Sequence, residues 1–338
     1  MSDATGSPGR RSPLDRVSSV LQSRVTRAVF VGLTVALALW AVAARWSAVV
    51  DAFGRLRGPW VAVAFAATAV NLVFVAFMWR AALDDLGSGS TTPRLGTLAA
   101  ARVFFVGQLG KYLPGSVWPI VVQAELASEH GVPRRRTATA SIVSILVAVA
   151  AAIIVVLGTL PFVHGVLPDG FGWAVLLIIP LAMVLYPPVF GTLADRALKL
   201  VGREPLEHRT SLLGTARATG WALLSWTACG LQIWALCVPL GAPRDLATLV
   251  LVTGGYALAW TVGFVVVIAP AGAGAREVAL AAVLAPVLHS GEAVVVVLLS
   301  RVLFTACDLG FAGFAAATAV RRTRRRDADP NKQPAARD

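Results

Sequence analysis

The sequence predicts an all-α, polytopic integral membrane protein with about 8 transmembrane helices. Hydrophobic residues make up 57% of the 338 residues, charged residues make up only 14%, and the mean hydropathy is +0.73. A soluble protein of this size needs a larger share of polar and charged residues to cover its surface. The apolar runs are continuous over about 20 residues, as a helical span requires, and they lack the alternation of an outer-membrane barrel.

The basic residues indicate which segments face the cytoplasm. The formal net charge is +12, a balance that could also indicate nucleic-acid binding. Here the charge is concentrated in the termini and in certain loops, which is typical of the cytoplasmic side of a membrane protein. We therefore expect no nucleic-acid partner. Residues 1–27 are predicted to be a basic, disordered cytoplasmic tail, 28–320 a single membrane domain, and 321–338 a second basic cytoplasmic tail.

Seven apolar runs are long enough to span a membrane. They cover residues 28–44, 60–79, 138–163, 173–193, 221–240, 246–269 and 293–320. The first follows a long basic leader and has no convincing cleavage site, so we interpret it as a retained anchor. Pro180 and the pair Pro187–Pro188 are expected to kink or end the fourth run. The polar stretch 195–219 is expected to be a cytoplasmic loop.

A short helix near Val278, within residues 270–288, supplies the eighth crossing. Eight crossings place both basic termini on the cytoplasmic side of the cytoplasmic (inner) membrane, in agreement with the positive-inside rule. If this helix re-entered instead of crossing, the basic C-terminus would lie outside, against that rule.

A broken, polar segment at residues 102–129 is the first candidate for a functional site. It carries Arg102, Gln108, Lys111, Gln123 and Glu125 within an otherwise apolar run. Pro114–Gly115 and Pro119 interrupt its helix. Both of its flanks resemble cytoplasmic segments, so we predict a re-entrant hairpin. Within a bilayer such a break survives only where protein or a cavity satisfies the freed backbone groups.

A second Gly/Pro break lies in the other half of the chain, at residues 270–277 (PAGAGARE). Paired broken segments indicate a binding site near the membrane midplane in transporters. Helix N-termini at such breaks offer unpaired N–H groups and a positive dipole end, and Lys111 and Arg276 add full charges. This pattern predicts a site for an anionic lipid headgroup. The alternative is two structural kinks, since Gly and Pro are common in membrane helices.

Further charges lie in the last span. Arg301 and Asp308 are seven residues apart on one helix face, so each is expected to find a partner on another element. Ion pairs that fix helix register and direct contacts with a substrate both fit this pattern. The four histidines are scattered and the three cysteines lie in apolar runs, so we expect no metal, cofactor or disulfide framework. No hydrolase or metalloprotease motif is present.

The first break closely resembles the signature of a known family. VGQLGKYLPGSVW (106–118) resembles that of the lysylphosphatidylglycerol synthase-type transmembrane, or flippase-like, family, and PAGAGAREVAL (270–280) is similar to the family's second motif, a Pro-Gly-Gly-Arg-Glu pattern. The resemblance covers roughly residues 30–320. It implies a stand-alone translocase or accessory membrane protein, related also to proteins of polyprenyl-linked sugar pathways. We expect no soluble aminoacyl-transferase domain of the kind found in bifunctional members, so that activity is not carried over.

The candidate substrate-binding residues come from two sources. By its motifs, the resemblance implies Gln108, Lys111, Tyr112, Pro114, Gly115, Gly272, Gly274, Arg276 and Glu277. The intramembrane charges add Glu125, Arg301 and Asp308.

Three functions fit these residues. The favoured one is a non-enzymatic translocase that moves a membrane phospholipid or polyprenyl-linked lipid; with no ATP-binding motif, transport is expected to be downhill or coupled to an ion gradient. The second is a non-catalytic membrane partner of a glycosyltransferase or lipid-modifying enzyme. The third is an intramembrane transferase in which Glu125, Glu277 or Asp308 acts as a base.

Overall fold

The structure is a computed structural model that describes residues 46–88, 94–112, 117–162, 210–265 and 274–327, together with Val189, Gly191, Thr192 and Arg196. All regular structure in these ranges is helical. The helices are α1 (Trp46–Arg55), α2 (Gly58–Asp85), α3 (Thr97–Gln108), α4 (Trp118–Ser128), α5 (Arg134–Thr159), α6 (Leu212–Cys237), α7 (Leu246–Val265), α8 (Ala275–Leu284) and α9 (Ser290–Asp327). Short 3₁₀ turns follow α3, α5 and α6 at Leu109–Tyr112, Leu160–Phe162 and Val238–Leu240.

Five helical segments are long and apolar enough to cross a membrane. They are Gly58–Asp85, Arg134–Phe162, Leu212–Leu240, Leu246–Phe264 and Gly291–Thr318. They confirm the all-α polytopic prediction and correspond to the second, third, fifth, sixth and last predicted spans. The predicted spans at 28–44 and 173–193 lie outside the described residues, apart from three positions in the latter. The total of eight crossings therefore stays a prediction.

The outer surface of the bundle is apolar. Phe65, Leu258, Val302 and Phe314 are all exposed, the last with 68% of its surface accessible. So many exposed large apolar side chains are rare on soluble monomers, because water contact with them is unfavourable. In a membrane protein the same side chains face lipid.

Antiparallel packing of α2 against α6 forms the centre of the bundle. At one end, Asp85 Oδ2 accepts a hydrogen bond from the N–H of Ser211 at 2.8 Å, immediately before α6 begins. Near the middle, Asn71 Nδ2 donates to the carbonyl of Ser225 at 2.9 Å. Towards the other end, the rings of Trp60 and Trp234 meet edge-to-face at 5.5 Å. The two helices therefore remain in contact along most of their length.

The two ends of the bundle differ in chemistry. We call the end where α2 ends and α5 and α6 begin the basic end. There Arg136 Nη2 donates to the carbonyl of Leu83 at 2.8 Å, near the C-terminus of α2, and a cation is favourable at that position. At the opposite end, Arg55 Nη2 lies 2.5 Å from Glu292 Oε1 at the start of α9.

Helices α7 and α9 run in the same direction. The turn at Gly241, which has φ of +112°, reverses the chain between α6 and α7. Helices α6 and α9 are also antiparallel. Gln232 Nε2 donates to Ser300 Oγ at 3.2 Å part-way along them. At the opposite end, Arg55 bonds both to the carbonyl of Leu240, after α6, and to Glu292, at the start of α9. The chain between α7 and α9 must consequently return along the bundle. Helix α8, ten residues and about 15 Å long, lies in this return. The predicted crossing near Val278 stays a prediction.

Helices α3 and α4 form a hairpin that enters and leaves at the basic end. Its arms contain 12 and 11 residues, or about 18 and 16 Å, and so are shorter than a membrane core of about 30 Å. Arg102 and Glu129 pair at the open end, at 3.4 Å. The carbonyl of Leu95, just before α3, accepts from Arg80 near the end of α2 at 3.3 Å. This is the geometry of the predicted re-entrant segment, and we refer to residues 97–128 as the hairpin.

Two glycines allow the arms of the hairpin to approach closely. A Cβ atom on Gly107 would lie 2.3 Å from Cγ of Gln123, and one on Gly110 would lie 2.7 Å from the backbone nitrogen of Pro119. Gln123 is buried and its Oε1 accepts from Ser141 Oγ of α5 at 2.6 Å. Trp79 of α2 in turn donates to Ser141 Oγ at 3.1 Å. The hairpin is therefore fixed to the bundle by buried polar contacts.

Gly110→Ala should destabilise the protein by about 1 to 3 kcal/mol, the range for overpacking, because the new methyl group meets backbone that cannot rotate away. The matched control is Gly158→Ala in α5, where no heavy atom lies within 4 Å of the added Cβ. The control should be neutral or stabilised, by up to about 1 kcal/mol. Thermal unfolding in detergent measures both. Equal melting temperatures for Gly110→Ala and wild type would contradict the close approach of the arms.

Candidate functional site

Helix α9 provides one ionic partner to each of the two broken segments. Arg301 and Asp308 lie seven residues apart along it, which is about 10 Å. Asp308 is 2% exposed, and its Oδ2 lies 2.6 Å from Lys111 Nζ in the 3₁₀ turn at the hairpin tip. Arg301 pairs through Nε with Glu277 of α8. As expected from their spacing, the two residues have partners on different elements.

The tip of the hairpin packs on α9 through polar and aromatic contacts. The hydroxyl of Tyr112 donates to Asp308 Oδ2 at 2.7 Å and lies 3.4 Å from Thr305 Oγ1. Further along the first arm, the rings of Phe105 and Phe311 stack at 4.7 Å with an interplanar angle of 11°. Asp308 therefore holds the polar side chains of Lys111 and Tyr112.

Glu277 closes the N-terminus of α8. Its Oε2 accepts from the backbone N–H of Gly274 at 2.6 Å, while Oε1 receives Arg301. Gly274 has φ of +92°, a left-handed conformation that favours glycine. A carboxylate at the third helical position that bonds back to the N-cap N–H is half of a capping box. The chain's own carboxylate thus occupies one of the N–H groups expected to face an anionic ligand.

Arg276 is held by aromatic rings. The guanidinium carbon lies 4.8 Å from the ring centre of Tyr256 and 5.7 Å from that of Phe304. These two rings stack on each other at 6.3 Å, and the Tyr256 hydroxyl contacts the guanidinium. Among the described residues, no carboxylate lies within ion-pairing distance of Arg276. Its positive charge is therefore met by ring faces and a phenol.

The five charged residues form one group, which we call the charged cluster. It consists of Lys111, Arg276, Glu277, Arg301 and Asp308. Lys111 is close enough to both Arg276 and Arg301 for their charges to repel. Arg301 lies eleven residues, about 16 Å, from the start of α9, so the cluster lies part-way along the membrane-spanning segment Gly291–Thr318. Asp308 is buried, whereas the other four charged side chains are half-buried. A small cleft beside it is lined by Arg276, Glu277, Leu280, Val297, Ser300 and Arg301.

The family comparison covers most of this architecture. The family model of the lysylphosphatidylglycerol synthase TM region matches residues 27–307, or 281 of the 338 residues. The chain belongs to this family. The match includes the hairpin, α8 and Arg301, and it ends one residue before Asp308. Comparison with curated proteins gives no match. Membership makes the chain a multi-pass membrane protein related to lipid handling.

The structure brings together seven of the twelve predicted site residues. They are Lys111, Tyr112, Gly274, Arg276, Glu277, Arg301 and Asp308. Gln108 is the last residue of α3, three residues before Lys111. Glu125 is not part of the cluster: it is exposed on α4, with two hydrogen bonds of 2.7 Å from Arg134. Pro114, Gly115 and Gly272 lie outside the described residues.

Sequence reasoning missed the aromatic residues of the site. Tyr256 and Phe304 lie in apolar spans where their types suggest only packing. Phe304 had one available signal, since it follows Arg301 by three residues and so shares its helix face. Tyr256 is 1% exposed and gave no comparable signal. In the described part of the chain, no group of three or more His, Cys, Asp or Glu residues could hold a metal.

Asp308→Asn should lower the free energy of unfolding by about 3 kcal/mol, because it leaves the charge of Lys111 inside the bundle without a partner. Lys111→Met/Asp308→Asn should recover part of this loss, giving a favourable coupling energy in a double-mutant cycle. The exposed pair Glu125–Arg134 is the control, and its removal should cost at most about 1 kcal/mol. Denaturant unfolding in detergent measures all variants. Equal losses at both pairs would contradict a buried Lys111–Asp308 pair.

Proposed function

We propose that this protein translocates a lipid with an anionic headgroup and that the headgroup passes through the charged cluster. The observation that carries the proposal is Arg276, a half-buried cation beside the spanning helices α7 and α9 that has no carboxylate partner among the described residues. Ionisable residues inside a membrane are expensive and usually line a substrate path. An anionic headgroup would supply the missing partner through charge-assisted hydrogen bonds.

The hairpin provides a reason for the headgroup to reach this depth. Its tip brings Lys111 to Asp308 of α9, with 28% of the Lys111 side chain exposed. The second arm begins at Trp118, and the positive end of its helix dipole favours an anion. Gly110, the neighbour of Lys111, packs against Pro119 at this helix start. The tip therefore places an ammonium group near the N-terminus of a helix, and both attract a phosphate.

The positive-inside rule orients this path. In our proposal the basic end, with Arg135 and Arg136, faces the cytoplasm, and the protein is in the cytoplasmic (inner) membrane with both termini on the cytoplasmic side. The hairpin then opens from the cytoplasmic leaflet. The transported molecule is a phospholipid or a polyprenyl-linked lipid, and movement is downhill or coupled to an ion gradient.

The carboxylates support binding more than chemistry. Glu277 already accepts from Gly274 and Arg301, and Asp308 already accepts from Lys111 and Tyr112. A carboxylate that holds a cation has a weakened ability to take a proton from a substrate. Glu125, the third candidate base, is on the surface. We therefore favour a non-enzymatic translocase over an intramembrane transferase.

Translocation is measured in proteoliposomes that contain the purified protein and a fluorescent anionic phospholipid quenched from outside. Wild-type protein should make the inner-leaflet label accessible to the quencher. Lys111→Ala/Arg276→Ala should slow this at least about tenfold, because each hydrogen bond to a charged group contributes about 1.5 to 3 kcal/mol. Arg134→Ala, which removes an exposed arginine outside the cluster, is the matched control and should retain the wild-type rate.

Two results would contradict the proposal in different ways. If the double variant moves lipid at the wild-type rate, with its melting temperature and elution volume unchanged, the headgroup does not pass through the charged cluster. No movement by folded wild type of any tested anionic phospholipid or polyprenyl lipid would contradict translocation. Co-purification with a glycosyltransferase or lipid-modifying enzyme would then support the partner-protein function.

A further inference from the structure

The charged cluster contains one more cation than carboxylates. Lys111, Arg276 and Arg301 give three positive charges, and Glu277 and Asp308 give two negative charges, so the formal sum among these described residues is +1. The described side chains in contact with these charges include Tyr112, Tyr256, Ser300 and Phe304, none of which adds a formal charge. Within the membrane-spanning part of a bundle, an uncompensated charge of either sign is unfavourable.

Each carboxylate is already engaged by a cation of the chain. Glu277 bonds to Arg301 and Asp308 bonds to Lys111. The excess charge is therefore that of Arg276. A ligand with one negative charge brings the sum to zero and leaves both ion pairs in place. A ligand with two charges brings the sum to −1 and competes with Glu277 and Asp308 for their cations.

The aromatic contacts define which part of Arg276 is available. Tyr256 and Phe304 lie against the guanidinium at 4.8 and 5.7 Å, measured to the ring centres. Nη2 of this guanidinium donates to the Tyr256 hydroxyl, and among the described residues no other acceptor takes its N–H groups. The planar fork matches two oxygens of one phosphate group. Two unesterified oxygens that share one charge are the chemistry of a phosphodiester.

We propose that the charged cluster selects a singly charged phosphodiester and discriminates against phosphomonoesters and diphosphates. This inference rests on the proposed function in one respect, the assignment of the cluster as the headgroup site. The inference further specifies the charge of the substrate headgroup. This charge distinguishes diacylglycerol phosphodiesters from polyprenyl diphosphates.

Ligand binding to the full-length protein in detergent tests this directly. Melting temperatures are recorded at pH 8 with increasing dihexanoyl phosphatidylglycerol, a phosphodiester, or dihexanoyl phosphatidic acid, a phosphomonoester. At that pH a phosphomonoester carries about two charges, because its second pKa is about 6. The diester should have an apparent Kd at least about tenfold lower. Equal or tighter binding of the monoester would overturn the proposal.

Soluble analogues identify the source of the ligand. Glycerophosphoglycerol and glycerol 3-phosphate carry the same two phosphate esters without acyl chains. If only the lipid diester stabilises the protein, the ligand is a membrane lipid. If glycerophosphoglycerol also stabilises it and glycerol 3-phosphate does so more weakly, the cluster recognises the diester itself. Both results support selection by charge, whereas stronger stabilisation by glycerol 3-phosphate contradicts it.

Changing the formal charge of the cluster should change its preference for a phosphodiester over a phosphomonoester. Glu277→Gln raises the sum to +2 and keeps an amide oxygen that can accept from Gly274. The preference for the diester should disappear or reverse. Asp308→Asn makes the same change of charge at the hairpin tip, so it serves if Glu277→Gln fails to fold. Glu129→Gln, which neutralises a carboxylate paired with Arg102 outside the cluster, is the control and should keep the wild-type preference.

The two proposals can fail separately. If the diester binds with the expected preference and no lipid moves in proteoliposomes, translocation is wrong and the charge selection stands. If lipids move but neither binding nor rate depends on headgroup charge, translocation stands and the charge selection is wrong. A wild-type preference retained in both folded carboxylate variants would also overturn it.

Discussion

The need to compensate charge inside an apolar bundle governs the arrangement of the site. A lone ammonium or guanidinium away from water is strongly unfavourable, so each must find a carboxylate, a carbonyl or an aromatic face. Helix α9 meets this need for both broken segments. Asp308 receives Lys111 of the hairpin, and Arg301 binds Glu277 of α8. Two segments far apart in sequence are thereby held against one helix.

This arrangement links the two sequence motifs of the chain in space. The first motif contributes Lys111 and Tyr112, and the second contributes Gly274, Arg276 and Glu277. Neither motif contains the residues that join them, because Arg301 and Asp308 are on α9. The matched region includes Arg301 but ends one residue short of Asp308. The ionic partner of the hairpin tip therefore lies just beyond the part of the chain that the family comparison covers.

Much of the fold could be predicted because membrane length and charge placement are strong constraints. Continuous apolar runs gave the five spans that the structure describes, and the breaks near Pro114 and Pro119 gave the hairpin. The pairing of Arg301 and Asp308 with other elements followed from the cost of isolated charge. The position of Glu125 did not follow, because a sequence does not tell which face of α4 turns outward. Its bidentate pairing with Arg134 places it on the surface.

The charged residues of the site could be predicted from the sequence, but its aromatic residues could not. Tyr256 and Phe304 resemble any other aromatic residues of an apolar span, and their role depends on a guanidinium brought close by the fold. The cap on α8 could have been anticipated, since a glutamate three residues after a helix-starting residue is a capping signature. The sequence pattern predicts that the N–H of Gly274 faces an anionic ligand. In the structure this N–H instead donates to the carboxylate of Glu277, in the first turn of α8.

The attachment of the hairpin has a mechanical consequence. At the basic end it is attached by Arg80 to the carbonyl of Leu95 and by Glu125 to Arg134, and part-way along it Gln123 is bonded to Ser141 of α5. At the tip, Lys111 and Tyr112 share the carboxylate of Asp308 on α9. An anion that takes Lys111 from Asp308 would therefore weaken the attachment of the tip and leave the attachments at the other end of the hairpin in place.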